Sequence, residues 1–178
     1  MSKSNCNLTG KSFTVDVMLN PAKTDHNMIV FSHNGYYDGV NFGLTADHHL
    51  IARIAGQEVT SREPIPFNGI RQVAYALKQE NDSMLLSLYD GSTLVGQKRF
   101  AGVYQENDLL WIGCGGDETF ENYQGEMLEF RLWTQSLSGA ELGEYSQKTL
   151  TGYEHGLFDN YPMNEGTGDH CYDRGVGA

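Results

Sequence analysis

A chain of 178 residues with 11% aromatic residues and 21 glycines can build one sizeable core but not two, and it is not composed like a disordered polymer. Its net charge of −11 is unevenly placed: residues 1–103 carry nine acids and nine bases, whereas residues 104–178 carry fourteen acids against Arg131, Lys148 and Arg174. That acidity argues against nucleic-acid binding, and no stretch approaches the ~20 apolar residues that membrane insertion requires.

The N-terminal "MSKSNCNLTG" lacks the apolar core of a signal peptide. Asn7-Leu8-Thr9 and Asn81-Asp82-Ser83 are glycosylation sequons, meaningful in a eukaryotic secretory setting. Strand-like alternation then begins. In "SFTVDVMLNP", Phe13, Val15, Val17 and Leu19 alternate with Thr14, Asp16 and Met18 until Pro21 ends the run. "NMIVFS" and "VNFGLT" flank the loop "HNGYYDG", and "HHLIARIA" follows. That loop offers His33, Asn34, Tyr36, Tyr37 and Asp38. Tyrosine rings beside planar hydrogen-bonding groups suit a sugar face, which makes these five the candidate ligand-binding residues. The alternative is that one tyrosine packs inward and the others form the turn.

"IRQVAYALK" places Val73, Tyr75 and Leu77 on one face and Gln72, Ala74, Ala76 and Lys78 on the other. "SMLLSLYDGSTLVGQKRF" predicts a hairpin turning at Asp90-Gly91. "LLWIG" and "GEMLEFRLW" are two further strands. One short helix follows, with Ser138 and Glu141 spaced as a capping box, Leu142 and Tyr145 on one face and Gly152 as its stop. About nine short strands and one helix predict an all-β, antiparallel sandwich occupying the whole chain as a single domain. Cys6, Cys114 and Cys171 show no metal-ligand spacing. They read as free thiols unless neighbouring terminal strands bring Cys6 and Cys171 into a disulfide.

Catalytic signatures are scarce. Gly-x-Ser-x-Gly and a glycine-rich phosphate loop are both missing, and adjacent His48 and His49 read as edge or loop residues rather than metal ligands. Glu126 and Glu129 are three apart, so in a regular strand they point to opposite faces and cannot act as an acid–base pair unless a bulge intervenes. Acidic clusters attract cations, and calcium is the one most often held by carboxylates and carbonyls alone. A solvated acidic surface is the simpler alternative.

The run "GEMLEFRLWTQSLSGAEL" followed by "LTGYEHGLFDNYPMNEGTGDHCYDRGVG" resembles the C-terminal half of a laminin-G-like, concanavalin-A-like jelly-roll domain. Gly125, Glu129, Arg131, Trp133, Leu137, Ser138 and Glu141 carry the first part. Gly152, Glu154, Gly156, Leu157, Tyr161, Asn164, Glu165, Gly166, Gly168 and Asp173 carry the second. Upstream, "FTVDVMLNP" resembles the early strand of such domains. The resemblance implies a two-sheet antiparallel jelly roll with one short helix near the C-terminus. The pattern also has a physical reading in which most motif residues are structural: Trp133 buried with its N–H on a carbonyl, and Arg131 ion-paired to Glu129 or Glu165.

The same resemblance bears on function. Glycanases of this fold resemble one another in a Glu-x-Asp-x-Glu strand, and here Leu128 stands where the central acid belongs. "CGGDETFENYQGEM" resembles the acidic loop of pentraxins, and "DHNMIVF" their acidic approach to an early strand. Asp25, Asp117, Glu118, Glu121 and Asn122 are thus the implied calcium ligands. The reading reached is a non-catalytic recognition module for carbohydrate or a protein partner, cut from a secreted or cell-envelope multidomain protein. The alternatives are a glycan-active enzyme of the same fold and a purely structural adhesin spacer.

Overall fold

The computed structural model describes residues 7–33, 39–105, 110–115, 121–167 and 170–175, the side chain of Glu121 excepted. Among the described residues twelve strands form: β1 (Phe13–Pro21), β2 (Met28–His33), β3 (Val40–Leu44), β4 (Leu50–Ile54), β5 (Gln57–Thr60), β6 (Arg71–Glu80), β7 (Ser83–Asp90), β8 (Thr93–Ala101), β9 (Leu110–Ile112), β10 (Glu121–Asn122), β11 (Gly125–Trp133) and β12 (Leu157–Tyr161). One helix, α1 (Gly139–Ser146), lies between β11 and β12. The first sheet runs β12-β11-β1-β6-β7-β8, and the second β10-β2-β3-β4-β5 with β9 also paired to β2. The two sheets face each other as a jelly-roll sandwich. Its pairings are antiparallel except that of β10 with β2.

The core follows from the alternation. Phe13, Val15, Val17 and Leu19 of β1 and Val73, Tyr75 and Leu77 of β6 face Met28, Phe31, Phe42, Leu44, Leu50 and Ala52 of the second sheet. The rings of Phe42 and Tyr75 stack across the interior with centroids 4.7 Å apart and planes 6° from parallel. Tyr75 Oη donates to the Gly43 carbonyl at 2.6 Å, so the sheets are tied by a buried hydrogen bond as well as by packing. Burial raises the pKa of that phenol and keeps it a donor.

Local readings fare unevenly. Ser138 caps α1, and the reciprocal bonds of a capping box form with Glu141. The helix ends at Ser146 with Gln147 as its cap, not at Gly152. Gly152, at φ 92°, instead lies against the Arg174 carbonyl, where a Cβ would come within 2.0 Å of the oxygen. The β7–β8 turn is Gly91-Ser92, with Asp90 still paired to Thr93; only Gly91 takes a positive φ, 56°. Asp90 is occupied by an ion pair with Arg71, including a bond from Arg71 Nη2 at 2.7 Å.

Leu142 packs with Trp133, Leu137, Leu157 and Ala74 in a second cluster, which covers part of the outer face of the first sheet. Trp133 is fully buried there beside Tyr145, with ring centroids 4.4 Å apart. Its indole N–H has no partner among the described residues, contrary to the expected carbonyl. Cys171 and Cys114 carry free thiols, and Cys171 Sγ lies 3.2 Å from Met163 Sδ. Cys6 lies outside the described residues.

Candidate functional site

Strand pairing sets a row of side chains across the second sheet. Trp111 stands opposite Ser32, Ser32 opposite Asn41, Asn41 opposite Arg53, and Arg53 opposite Glu58. Their neighbours Leu110, Phe31, Phe42, Ala52 and Val59 belong to the core, so the period of two turns the row outward. Ser32 and Asn41 at its centre are buried, with Gly115 packed against Ser32 Cβ. At one end Arg53 Nε donates to Glu58 Oε2 at 2.8 Å. At the other end, on the edge strand β9, Trp111 keeps 38% of its surface exposed. No expectation from the sequence falls on Trp111 itself. The signal was its place between Leu110 and Ile112, which as core residues force the indole outward.

The candidate residues from the sequence divide between the two ends of β2. His33 is its last residue and is buried rather than offered on a loop; its Nδ1 lies 2.6 Å from the Tyr104 hydroxyl. Chain continuity from His33 to Val40 carries Asn34, Tyr36, Tyr37 and Asp38, all outside the described residues. The flanks of that connection adjoin the row, because Ser32 precedes His33 and Asn41 follows Val40.

Asp25 lies just before the opposite end of β2. Its carboxylate is 90% exposed and meets His26 Nε2 at 2.9 Å. The parallel pairing sets Glu121 beside Met28 and Asn122 beside Ile29, which brings the Asn122 strand to the end of β2 that Asp25 precedes. Asn122 is exposed. Asp117 and Glu118 lie outside the described residues. Among the described residues no three His, Cys, Asp or Glu side chains gather as a metal site. Six residues of strand at ~3.3 Å each separate the two ends of β2 by roughly 17–20 Å, so Asp25 and Asn122 lie at the end of β2 away from His33.

The two glutamates of β11 lie on one face, against the expectation that they oppose. The register slips between Met18 and Leu19, so that Met18 faces Glu129, Leu19 faces Met127, and Leu128 is left over as a bulge. Each carboxylate is engaged separately. Glu126 Oε2 accepts from Asn20 Nδ2 at 3.0 Å, and Glu129 Oε2 from Arg131 Nη2 at 2.6 Å.

Arg131 also pairs with Asp16 at 3.2 Å, in side chains only 4% and 1% exposed. Burial is the largest influence on Asp16 and raises its pKa, against the lowering pull of Arg131 and the Gln72 hydrogen bond. Glu165, the other expected partner of Arg131, accepts from the Tyr172 backbone instead. Beside Arg131, a groove of about 350 Å³ opens between β11, the end of β12, residues 146–150 and the tail.

A laminin G model, of the concanavalin A-like lectin/glucanases superfamily, matches residues 2–143. No curated protein matches the chain. Among solved structures, a proposed carbohydrate-binding protein from Bacteroides ovatus is similar at TM-score 0.77 and 17% identity, over 97% of this chain and 52% of that one. This chain therefore spans about half of the Bacteroides ovatus chain. A CBM40 of the Ruminococcus gnavus IT-sialidase, bound to α2,3-sialyllactose, is similar at TM-score 0.58 and 12% identity, over 76% and 82% of the two chains. The heptameric SAP-like pentraxin of Limulus polyphemus follows at TM-score 0.52 and 16% identity, over 76% and 70%. At these identities the three likenesses establish the fold.

Proposed function

The chain belongs to the concanavalin A-like lectin/glucanases superfamily, and from that premise we propose that it is a non-catalytic module that recognises carbohydrate. The observation that carries the reading is Trp111. An exposed indole on an edge strand, opposite the residue before the His33-to-Val40 connection, provides the apolar platform on which a sugar ring stacks. Tyr36 and Tyr37 extend that platform, and Asn34 and Asp38 supply polar contacts to hydroxyls. His33, buried against Tyr104, holds the base of the loop in place. The Bacteroides ovatus and Ruminococcus gnavus structures support the reading, since carbohydrate binding stands in the description of each. A secreted or cell-envelope protein carrying this chain as one module fits it as well.

The separate engagement of Glu126 and Glu129 favours binding over hydrolysis, because a retaining glycosidase needs two carboxyls about 5–5.5 Å apart on one substrate. A glycan array probed with the protein is expected to give hits that Tyr36→Ala and Tyr37→Ala weaken, with no new reducing ends released from the bound glycans. An array without hits would sink the proposal, and released sugar would establish the enzyme reading in its place.

Calcium belongs to the same proposal, at the other end of β2. Asp25, Asp117, Glu118, Glu121 and Asn122 with backbone carbonyls and water can supply the six to eight oxygens that the ion takes. The pairing of β10 with β2 supports this by bringing Asn122 toward the segment of Asp25. With a dissociation constant near ~0.1 mM, roughly 10 mM calcium raises the melting temperature by about 5–10 °C. Asp117→Ala is expected to abolish that shift, and an unmoved wild-type transition would refute the site.

A further inference from the structure

The three cations of the acidic half of the sequence, Arg131, Lys148 and Arg174, come together along one groove. Arg131 stands on β11, Lys148 on the segment after α1, and Arg174 on the tail. Two bonds tie that tail to β12: Arg174 N to Asn160 O at 2.7 Å, and Asn160 N to Asp173 Oδ1 at 2.8 Å. Residues 104–178 hold fourteen acids, yet among the described residues Glu129 is the one carboxylate that lines the groove.

Two unpaired polar atoms lie beneath its wall. Arg131 Nε and Asn160 Oδ1 are buried and have no partner among the described residues; Asn160 is only 2% exposed. Such groups are costly unless something completes them. Both residues line the groove, although these two atoms are themselves covered. Arg174 makes no contact ion pair among the described residues, although its charge helps to lower the Glu165 pKa, and its Nη2 donates to Asn164 Oδ1 at 3.2 Å. Lys148 pairs with Glu144 one helical turn away, in an exposed contact weak enough to exchange for a ligand.

We propose that this groove is a second binding site, for a carboxylate-bearing sugar of the uronate class. The planar fork of Arg174 matches a carboxylate and Lys148 adds charge, in a groove that Asn160 and Asn164 also line. A monoanion suits the site better than a sulfate or phosphate dianion, because the surrounding net charge of −11 repels each added negative charge. The volume, at the low end for small-molecule pockets, suits a mono- or disaccharide. The groove lies on the outer face of the first sheet, away from Trp111, and most of its wall lies beyond residue 143, where the family match ends. It therefore stands or fails apart from the Trp111 site.

Titration calorimetry of the intact chain at low salt, with D-glucuronate, D-glucose and inorganic sulfate, tests the proposal. Glucuronate is expected to bind at least about tenfold tighter than either competitor, as one charge-assisted contact confers. Arg174→Gln should weaken it about tenfold and Lys148→Gln about threefold, with both variants unfolding at the wild-type urea midpoint. Trp111→Ala should leave glucuronate binding unchanged. Amide NMR shifts on titration should centre on Asn160 and Arg174. Equal binding of glucose, equal binding of sulfate, absent binding, or affinity indifferent to both cation substitutions would overturn the assignment. Should Arg174→Gln disturb the tail, the wild-type ligand comparison and Lys148→Gln still decide.

Discussion

Arg131→Met is expected to cost about 3–5 kcal/mol of folding stability, because it leaves Asp16 buried without its cation. Urea unfolding at pH 7 measures the loss. Asp16 lies in the interior of the first sheet's outer layer, held by Arg131 Nη1 at 3.2 Å and Gln72 Nε2 at 2.9 Å. Arg131→Met removes the cation while the carboxylate stays out of water. Adding Asp16→Asn should restore most of the stability, since a neutral amide retains a partner in Gln72 and carries no charge to desolvate.

The pH dependence follows from the direction of the Asp16 shift. Its folded pKa lies above the ordinary carboxylate value, so between the unfolded and folded values the native state binds more protons. In that window stability rises as pH falls, and below the unfolded value Asp16 adds nothing further. Losing Arg131 raises the folded pKa more and widens the window upward. The stability difference between Arg131→Met and its Asp16→Asn double variant should therefore shrink on acidification from pH 7. A constant difference would show that Asp16 is not the charge responsible.

Trp111→Ala is expected to weaken binding to an uncharged glycan captured by the protein by roughly 2 kcal/mol, about thirtyfold, as for a central aromatic anchor. Its effect on stability should be small by comparison, because over a third of the indole is exposed and β9 contributes only three residues to an edge. Titration calorimetry on an array hit, paired with thermal unfolding, separates the two. Affinity that survives the substitution would remove the platform from the site, and a collapse of stability would make Trp111 a packing residue.

Much of the architecture was readable from near neighbours in the chain. The alternation of Phe13 to Leu19 and of Val73 to Leu77 names the core-facing residues, because side-chain direction in a strand depends only on the parity of position. Ser138 and Glu141 cap α1 as their spacing predicts, because both partners lie within one turn. The short strands β5, β10 and β12 were not read as strands. "QEVT" has one core residue, Val59, and β12 buries Asp159 and Asn160, polar residues that blur its apolar pattern. Their pairing is supplied by β4, β2 and β11 rather than by a pattern of their own.

The sequence by itself determined the all-β class, the superfamily, the faces of the long strands and the confinement of negative charge to residues 104–178. The superfamily is carried by the resemblance of its motifs, and each of the others is a sum over composition or over positions close in the chain. Only the tertiary structure decided which side chains meet. The bulge at Leu128 turned Glu126 and Glu129 to one face, because register depends on the partner strand β1 as well as on β11. Pairing of β2 with β9 set Trp111 against Ser32, and the tail of the chain brought Arg174 to the groove of Arg131. Contacts between residues so distant in sequence form when buried apolar surface pulls whole strands together, and no local period records them.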